Sequence, residues 1–171
     1  MRRLFLILLL IVGCVASGNK SSDLTEAVRS GDVAAVKMLC ARGVDPNLPT
    51  GRNGWAPLMH AVHKNQLGTA AALLAAGADP NRAAGGMMTP LMMAAGYGNH
   101  EMVALLLRGG AKASQADGEG STALDYALTG MTDLDDFTYF KCQNETVSLL
   151  RPVSPKPQAG GLRWARLKGC A

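Results

Sequence analysis

The sequence predicts an all-α solenoid made of about four copies of one helix pair. Three observations carry that expectation. The stretch TPLMMAAGYGNHEMVALLLRGGA, residues 89–111, recurs: Thr89-Pro90-Leu91 aligns with Ala56-Pro57-Leu58 upstream and with Thr122-Ala123-Leu124 downstream, 33 residues away in each direction. An earlier copy starts at Leu24, where Leu24 and Gly31 keep the offset of Leu91 and Gly98 at a spacing of 34. Within the unit, Leu91, Ala94 and Ala95 line one face of a short helix, and Val103, Leu106 and Leu107 form the apolar stripe of a second. Each helix is followed by a residue suited to the left-handed backbone, Gly98 and then Gly110. One such pair cannot bury both of its faces, so the copies are expected to stack.

The chain opens with Met1-Arg2-Arg3 and an apolar run over residues 4–12, the form of a secretory signal, here assigned to residues 1–13. Nine residues fall short of the roughly 20 that cross a bilayer. The run ends in Ile11-Val12-Gly13-Cys14, which resembles the bacterial lipobox, so Cys14 is the expected site of lipidation and the new N-terminus. The alternative is an ordinary signal cut later, near Cys14-Val15-Ala16-Ser17, which leaves a soluble periplasmic protein. Val15 is not the Asp associated with inner-membrane retention, so the outer membrane is the expected destination of a lipidated form. Residues 14–22 form a tether, and the repeats follow at 23–54, 55–87, 88–120 and 121–152.

In the first repeat Leu24, Ala27 and Val28 mark one helix and Val33, Val36, Leu39 and Cys40 the next; Cys40 stands at the position of Leu107 and reads as a small core residue. The second repeat has helices over residues 58–64 and around Ala70, Leu73 and Leu74, with Asn65 where the closing glycine belongs, the next best residue for that backbone. In the third, the Thr89-Pro90 pair caps and starts the helix without loss of a hydrogen bond. The loop into the fourth is an Asp-x-x-Gly hairpin, Asp117-Gly118-Glu119-Gly120. The fourth repeat begins normally, but matching Val147 to Val103 requires about eleven inserted residues, placed at 130–140. That insertion is acidic and aromatic, and either a functional loop or a cover for the open end of the stack. The tail, 153–171, is rich in Pro and Gly and basic; it is either disordered, or docked through Trp164 and Leu167 on the last repeat, or in contact with anionic headgroups. Cys142 and Cys170 can form a disulfide if the compartment is oxidising.

This unit resembles the ankyrin repeat, with its TPLH-like start, AA-x-x-G close and LLL-x-x-GAD-x-N exit, over roughly residues 23–152. The resemblance implies an ankyrin-repeat solenoid that binds another protein along the surface of its hairpin tips and first helices. Carried over position by position, that surface comprises Glu26 and Arg29; Trp55, His60, His63 and Lys64; Met88, Met93 and Tyr97; Ser121 and Tyr126. Trp55 and Tyr97 are expected to form one ridge with the residues between them, in the side-chain types that concentrate binding energy. Met59, Met92 and Asp125 replace the His of TPLH, so its hydrogen bond is expected to be absent or made differently.

Charge is unevenly spread: residues 1–19 carry +2 and residues 151–171 carry +5, whereas residues 20–150 hold 10 basic against 13 acidic side chains. A slightly acidic repeat body argues against nucleic acid as a partner. No Gly-x-Ser-x-Gly, phosphate loop or Cys-x-x-Cys is present, so neither catalysis nor a cofactor is expected. His60 and His63 have a spacing that can share a metal, but a third ligand is not evident, and Asp133, Asp135 and Asp136 lack the calcium-loop pattern. The expectation is a monomeric, non-catalytic interaction protein of the bacterial envelope. Its alternatives are an immunity-type inhibitor that occludes a toxin or enzyme, and a metal-binding protein using His60 and His63.

Overall fold

A computed structural model of the chain describes residues 20–49, 54–130 and 143–157. The signal segment, Cys14, Cys142, Cys170, most of the insertion and the tail from residue 158 onward lie outside the described residues. The elements come in pairs: α1 (Lys20–Ser30) and α2 (Val33–Ala41), α3 (Pro57–His63) and α4 (Leu67–Ala75), α5 (Pro90–Gly96) and α6 (His100–Arg108), α7 (Ala123–Thr129) and α8 (Asn144–Leu150). α1 begins at Lys20, inside the segment read as a tether. The first helices stack on one another in the order α1, α3, α5, α7, and the second helices in the order α2, α4, α6, α8, giving two layers. Among the described residues no helix is long and apolar enough to cross a membrane.

The core consists of columns, each made of one register position repeated. Leu24, Leu58, Leu91 and Leu124 form the first; Ala27, Ala61, Ala94 and Ala127 the second, where the missing bulk lets the layers approach. Val36, Ala70, Val103 and Val147 make a third, and Leu73, Leu106 and Leu150 a fourth that the partly buried Leu39 begins. Val147 and Leu150 enter these columns only if eleven residues are inserted before them, and the helix starts agree. Gln66 and Asn99, which precede α4 and α6, are 33 apart, whereas Asn99 and Gln143, which precedes α8, are 44 apart.

Closing residues behave as their chemistry requires. Asn65 is left-handed at φ 51°, and Gly31 and Gly98 hold the same place at φ 75° and 71°. Gly98 is required twice over, because a Cβ there would lie 2.6 Å from the Gln143 side chain. That glutamine reaches back, its amide donating to the Gly96 carbonyl at 3.0 Å, and Gln66 does the same to the Arg29 carbonyl at 3.3 Å. Arg29 and Gly96 occupy the same register position, so the two bonds are one device used twice.

A second device joins the exit turns. Asn47 accepts from the Asp79 amide at 2.7 Å and donates to the Gly77 carbonyl at 3.0 Å. Asn81, one repeat on, accepts from the Lys112 amide at 2.7 Å and donates to the Gly110 carbonyl at 3.1 Å. Each side chain thus pairs two backbone groups that a non-helical turn leaves without partners of its own. The His100–Glu145 pair, 2.9 Å apart between α6 and α8, is exposed and adds little.

The bond expected of the TPLH histidine is made differently. In the fourth repeat the buried Asp125 carboxylate accepts from both the Thr122 amide, at 2.9 Å, and its hydroxyl, at 2.7 Å. In the third, the Met92 sulfur takes the Thr89 amide at 3.4 Å, while the Thr89 hydroxyl accepts the Met92 amide at 3.2 Å. Each is a local cap on its own helix.

Replacing Asn81 by Ala removes both bonds to the third exit turn and is expected to cost about 1–3 kcal/mol in chemical denaturation. Ser114→Ala, at the same register position one repeat later, should change stability by less than about 0.5 kcal/mol.

Candidate interaction surface

Trp55 sits at the end of the loop into α3, half-buried, with α3 placing His60 and His63 on one face. The indole centroid lies 5.4 Å from the His60 ring in a tilted arrangement and 5.2 Å from the His63 ring edge-on. His63 then bridges to the next repeat: its ring centroid is 5.7 Å from that of Tyr97, and its Nδ1 lies 3.0 Å from the Tyr97 hydroxyl. With the imidazole proton on Nε2 the phenol donates to Nδ1. The result is a row of rings, Trp55–His63–Tyr97, with His63 exposed and the others half-exposed. Lys64 is exposed beside it at the end of α3. His60, 8% exposed, supports the row from beneath.

Met93 is a correction: expected on the binding surface, it is 1% exposed and part of the core. His60, at the same register position and equally expected on that surface, is buried too, because α3 and α5 each have first helices packed on both sides. A flexible thioether fills such an irregular gap well. Met88 is half-buried and also packs against the core.

Ser121 and Tyr126 belong to a separate cluster in the fourth repeat. The Tyr126 hydroxyl donates to Asp117 at 2.7 Å, and the other oxygen of that carboxylate accepts the amides of Glu119, at 2.9 Å, and Ser121, at 2.8 Å. Desolvation acts to raise the Asp117 pKa, but the hydrogen bonds from Tyr126 and the backbone amides outweigh it and hold the carboxyl below its usual range. Burial, then the bond to Asp117, pushes the Tyr126 phenol well above its usual value. Asp117 is thereby the hub of its hairpin, a role beyond the turn signal it gives in sequence.

Sequence reading passed over Met87. Register aligns it with Gly54 and Gly120, which are left-handed at φ 65° and 85°, and Met87 is left-handed too, at φ 63°. Ala84 donates to the Met88 carbonyl at 3.0 Å and Met87 to the Ala84 carbonyl at 2.9 Å, the same two bonds that Asp117 to Ser121 and Gly120 to Asp117 make one repeat later. For a residue bearing a Cβ that conformation costs about 1–2 kcal/mol. The Met87 side chain is 56% exposed. The signal in sequence is a non-glycine where the sibling loops carry glycine.

His60 and His63 both pack on Trp55, and among the described residues no group of three or more His, Cys, Asp or Glu is arranged to hold a metal.

Stacked helix pairs joined by hairpin loops, with an aromatic row crossing from one pair to the next, define a helical repeat scaffold. The scaffold is an ankyrin-repeat solenoid: family models described as ankyrin repeats in three copies and in many copies match residues 3–84 and 73–127. No curated protein matches the chain. Ankyrin repeats imply a protein partner, and the family is typically a non-catalytic interaction scaffold.

The Asp117 cluster has a pH signature. A lowered carboxyl pKa contributes stability that is present above the unfolded value, near 3.8, and is lost as pH falls through the folded value. Tyr126→Phe is expected to cost about 1–3 kcal/mol at pH 7. The gap in melting temperature between the wild type and Asp117→Asn should close as pH is lowered through the carboxylate range.

Proposed function

We infer that this protein is exported to a bacterial cell envelope, is anchored there by lipid on Cys14, and acts without catalysis by binding another protein across the Trp55–His63–Tyr97 row. The observation that carries the binding site is the row itself. Aromatic side chains offer large contact area at small entropic cost, and clustered, partly desolvated Trp and Tyr are the usual hot spots of interfaces. Sharing the row between two repeats uses the solenoid as family members do, with recognition spread over adjacent units.

Export rests on the N-terminal residues. The three-copy ankyrin model's match begins at residue 3 and so takes in the apolar run. Residues 4–12 nevertheless contain neither the closing glycine nor the Asp or Asn exit of the repeat unit, and they follow two arginines. That pattern fits a signal better than a helix pair. An acyl anchor contributes about 0.8 kcal/mol for each buried CH₂, and stable attachment takes more than one chain, as a diacylated Cys14 supplies.

Affinity capture from envelope extracts tests the site. A Trp55→Ala, Tyr97→Ala variant with unchanged circular dichroism should lose at least tenfold in affinity for the protein retained by the wild type; equal retention by both forms places the interface elsewhere. For the anchor, Cys14→Ser should move the protein from the membrane fraction to the soluble one. Unchanged processing and membrane retention of that variant would exclude lipidation at Cys14.

A further inference from the structure

We propose that the outward faces of α2 and α4 lie against the bilayer that holds Cys14, so that the first-helix layer and its aromatic row face away from the membrane. The proposal rests on the reading of Cys14 as a lipid anchor.

The second-helix layer presents three outward columns, and their character changes along the stack. The first runs Ala34, Gly68, Glu101 and Glu145; the second Lys37, Ala71, Ala104 and Ser148; the third Ala41, Ala75, Arg108 and Pro152. Every member is exposed except Ala104, which is half-exposed. Of the nine residues in each of α2 and α4, Lys37 alone is charged, and Thr69, the one hydroxyl, is buried. Met38 widens this face at the open end of the stack. It has the register of the buried Ala72, but no second helix among the described residues precedes α2, and it is 46% exposed. Repeats one and two thus turn a nearly uncharged face outward, whereas repeats three and four carry there the charged side chains that a helix facing water ordinarily has.

The distance along the chain from the anchor decides what covers that face. Lys20, the first residue of α1, is six residues from Cys14, which puts the start of α1 within about 20 Å of the lipidated residue. α1 packs on α2, and α2 on α4. The uncharged faces therefore belong to the two repeats nearest the bilayer, and the columns become polar with distance from it. A second copy of the chain as occupant would not require that direction. Small side chains bury little area, so the contact is weak by itself, and tethering raises the local concentration enough for it to set orientation. The Lys37 stem is long enough to lie along the apolar surface with its ammonium among headgroup phosphates. Charged groups bordering the two helices, Asp32, Arg42, Asp45, Asp79 and Arg82, are of both signs, so the lack of charge on the face, not a surplus of cations, selects the occupant.

The test adds the lipidated chain, carrying Cys40→Ala, Cys142→Ser and Cys170→Ser, to preformed vesicles of phosphatidylethanolamine and phosphatidylglycerol. A nitroxide label is placed on Ala71→Cys or, in the same column two repeats on, on Ser148→Cys; both positions are exposed, and Cys14 is blocked by its lipid. Collision with a water-soluble nickel chelate should be at least threefold lower for the label on Ala71→Cys, and collision with oxygen, which concentrates among acyl chains, should be higher. Ala34→Cys should follow Ala71→Cys. If the label on Ala71→Cys meets the chelate as freely as that on Ser148→Cys, this proposal fails and the anchor stands; if the chain does not enter the vesicles, both readings fail. Shielding of the Ala71→Cys label from both reagents, or broadening by a second label, identifies protein as the occupant and overturns the proposal as well.

Discussion

Every repeat protein must pair the backbone groups of its connecting turns, which no helix or sheet supplies with partners. Here the constraint is met by primary amides. Asn47 and Asn81 each bind one amide and one carbonyl of the following repeat, and Gln66 and Gln143 each bind a carbonyl of the preceding one. A carboxylate cannot donate and a hydroxyl cannot reach two groups so far apart, which is why these positions are Asn and Gln. The apolar columns then need only the right volume, since the amides set the register. That division of labour explains how the fourth repeat accepts eleven extra residues: Gln143 restores the register by gripping Gly96, and Val147 and Leu150 return to their columns.

With the register held in this way, side chains at the surface positions are free to differ. One register position carries Glu26, His60, Met93 and Tyr126 in successive repeats, and each does something different: exposed in α1, beneath Trp55 in α3, in the core in α5, bonded to Asp117 in α7. The next surface position gives Arg29, His63, Gly96 and Thr129, of which only His63 joins the aromatic row. The row is therefore a local feature of the second and third repeats, and the fourth repeat has a separate polar cluster.

Most of the fold was legible in the sequence because its signals are periodic. The 33-residue recurrence, the Leu and Ala columns, and Asn65 as a left-handed closer all follow from spacing and from the conformational range of each residue type. The row of Trp55, His63 and Tyr97 was legible as well, since the family register brings these residues to one side. What escaped was anything that depends on the neighbours of a position. His60 and Met93 share a register position read as surface yet are both buried, because α3 and α5 are each covered on both sides by other first helices. Asp117 reads as a turn residue, and only three dimensions bring Tyr126 to it across nine residues. Met87 carries no apolar periodicity, and its strain follows from the two backbone bonds that close its hairpin.

Four of the buried side chains are methionines, Met59, Met92, Met93 and Met102, and Met59 and Met92 hold the same register position in α3 and α5. Unbranched thioethers change rotamer at little cost, whereas Leu or Val in their place would resist any change in the space between helices. Three of the four belong to the third repeat, so these adaptable side chains are concentrated beside the boundary that the aromatic row crosses. Trp55 and His63 lie on one side of that boundary and Tyr97 on the other, and the ring contact and hydrogen bond between His63 and Tyr97 span it.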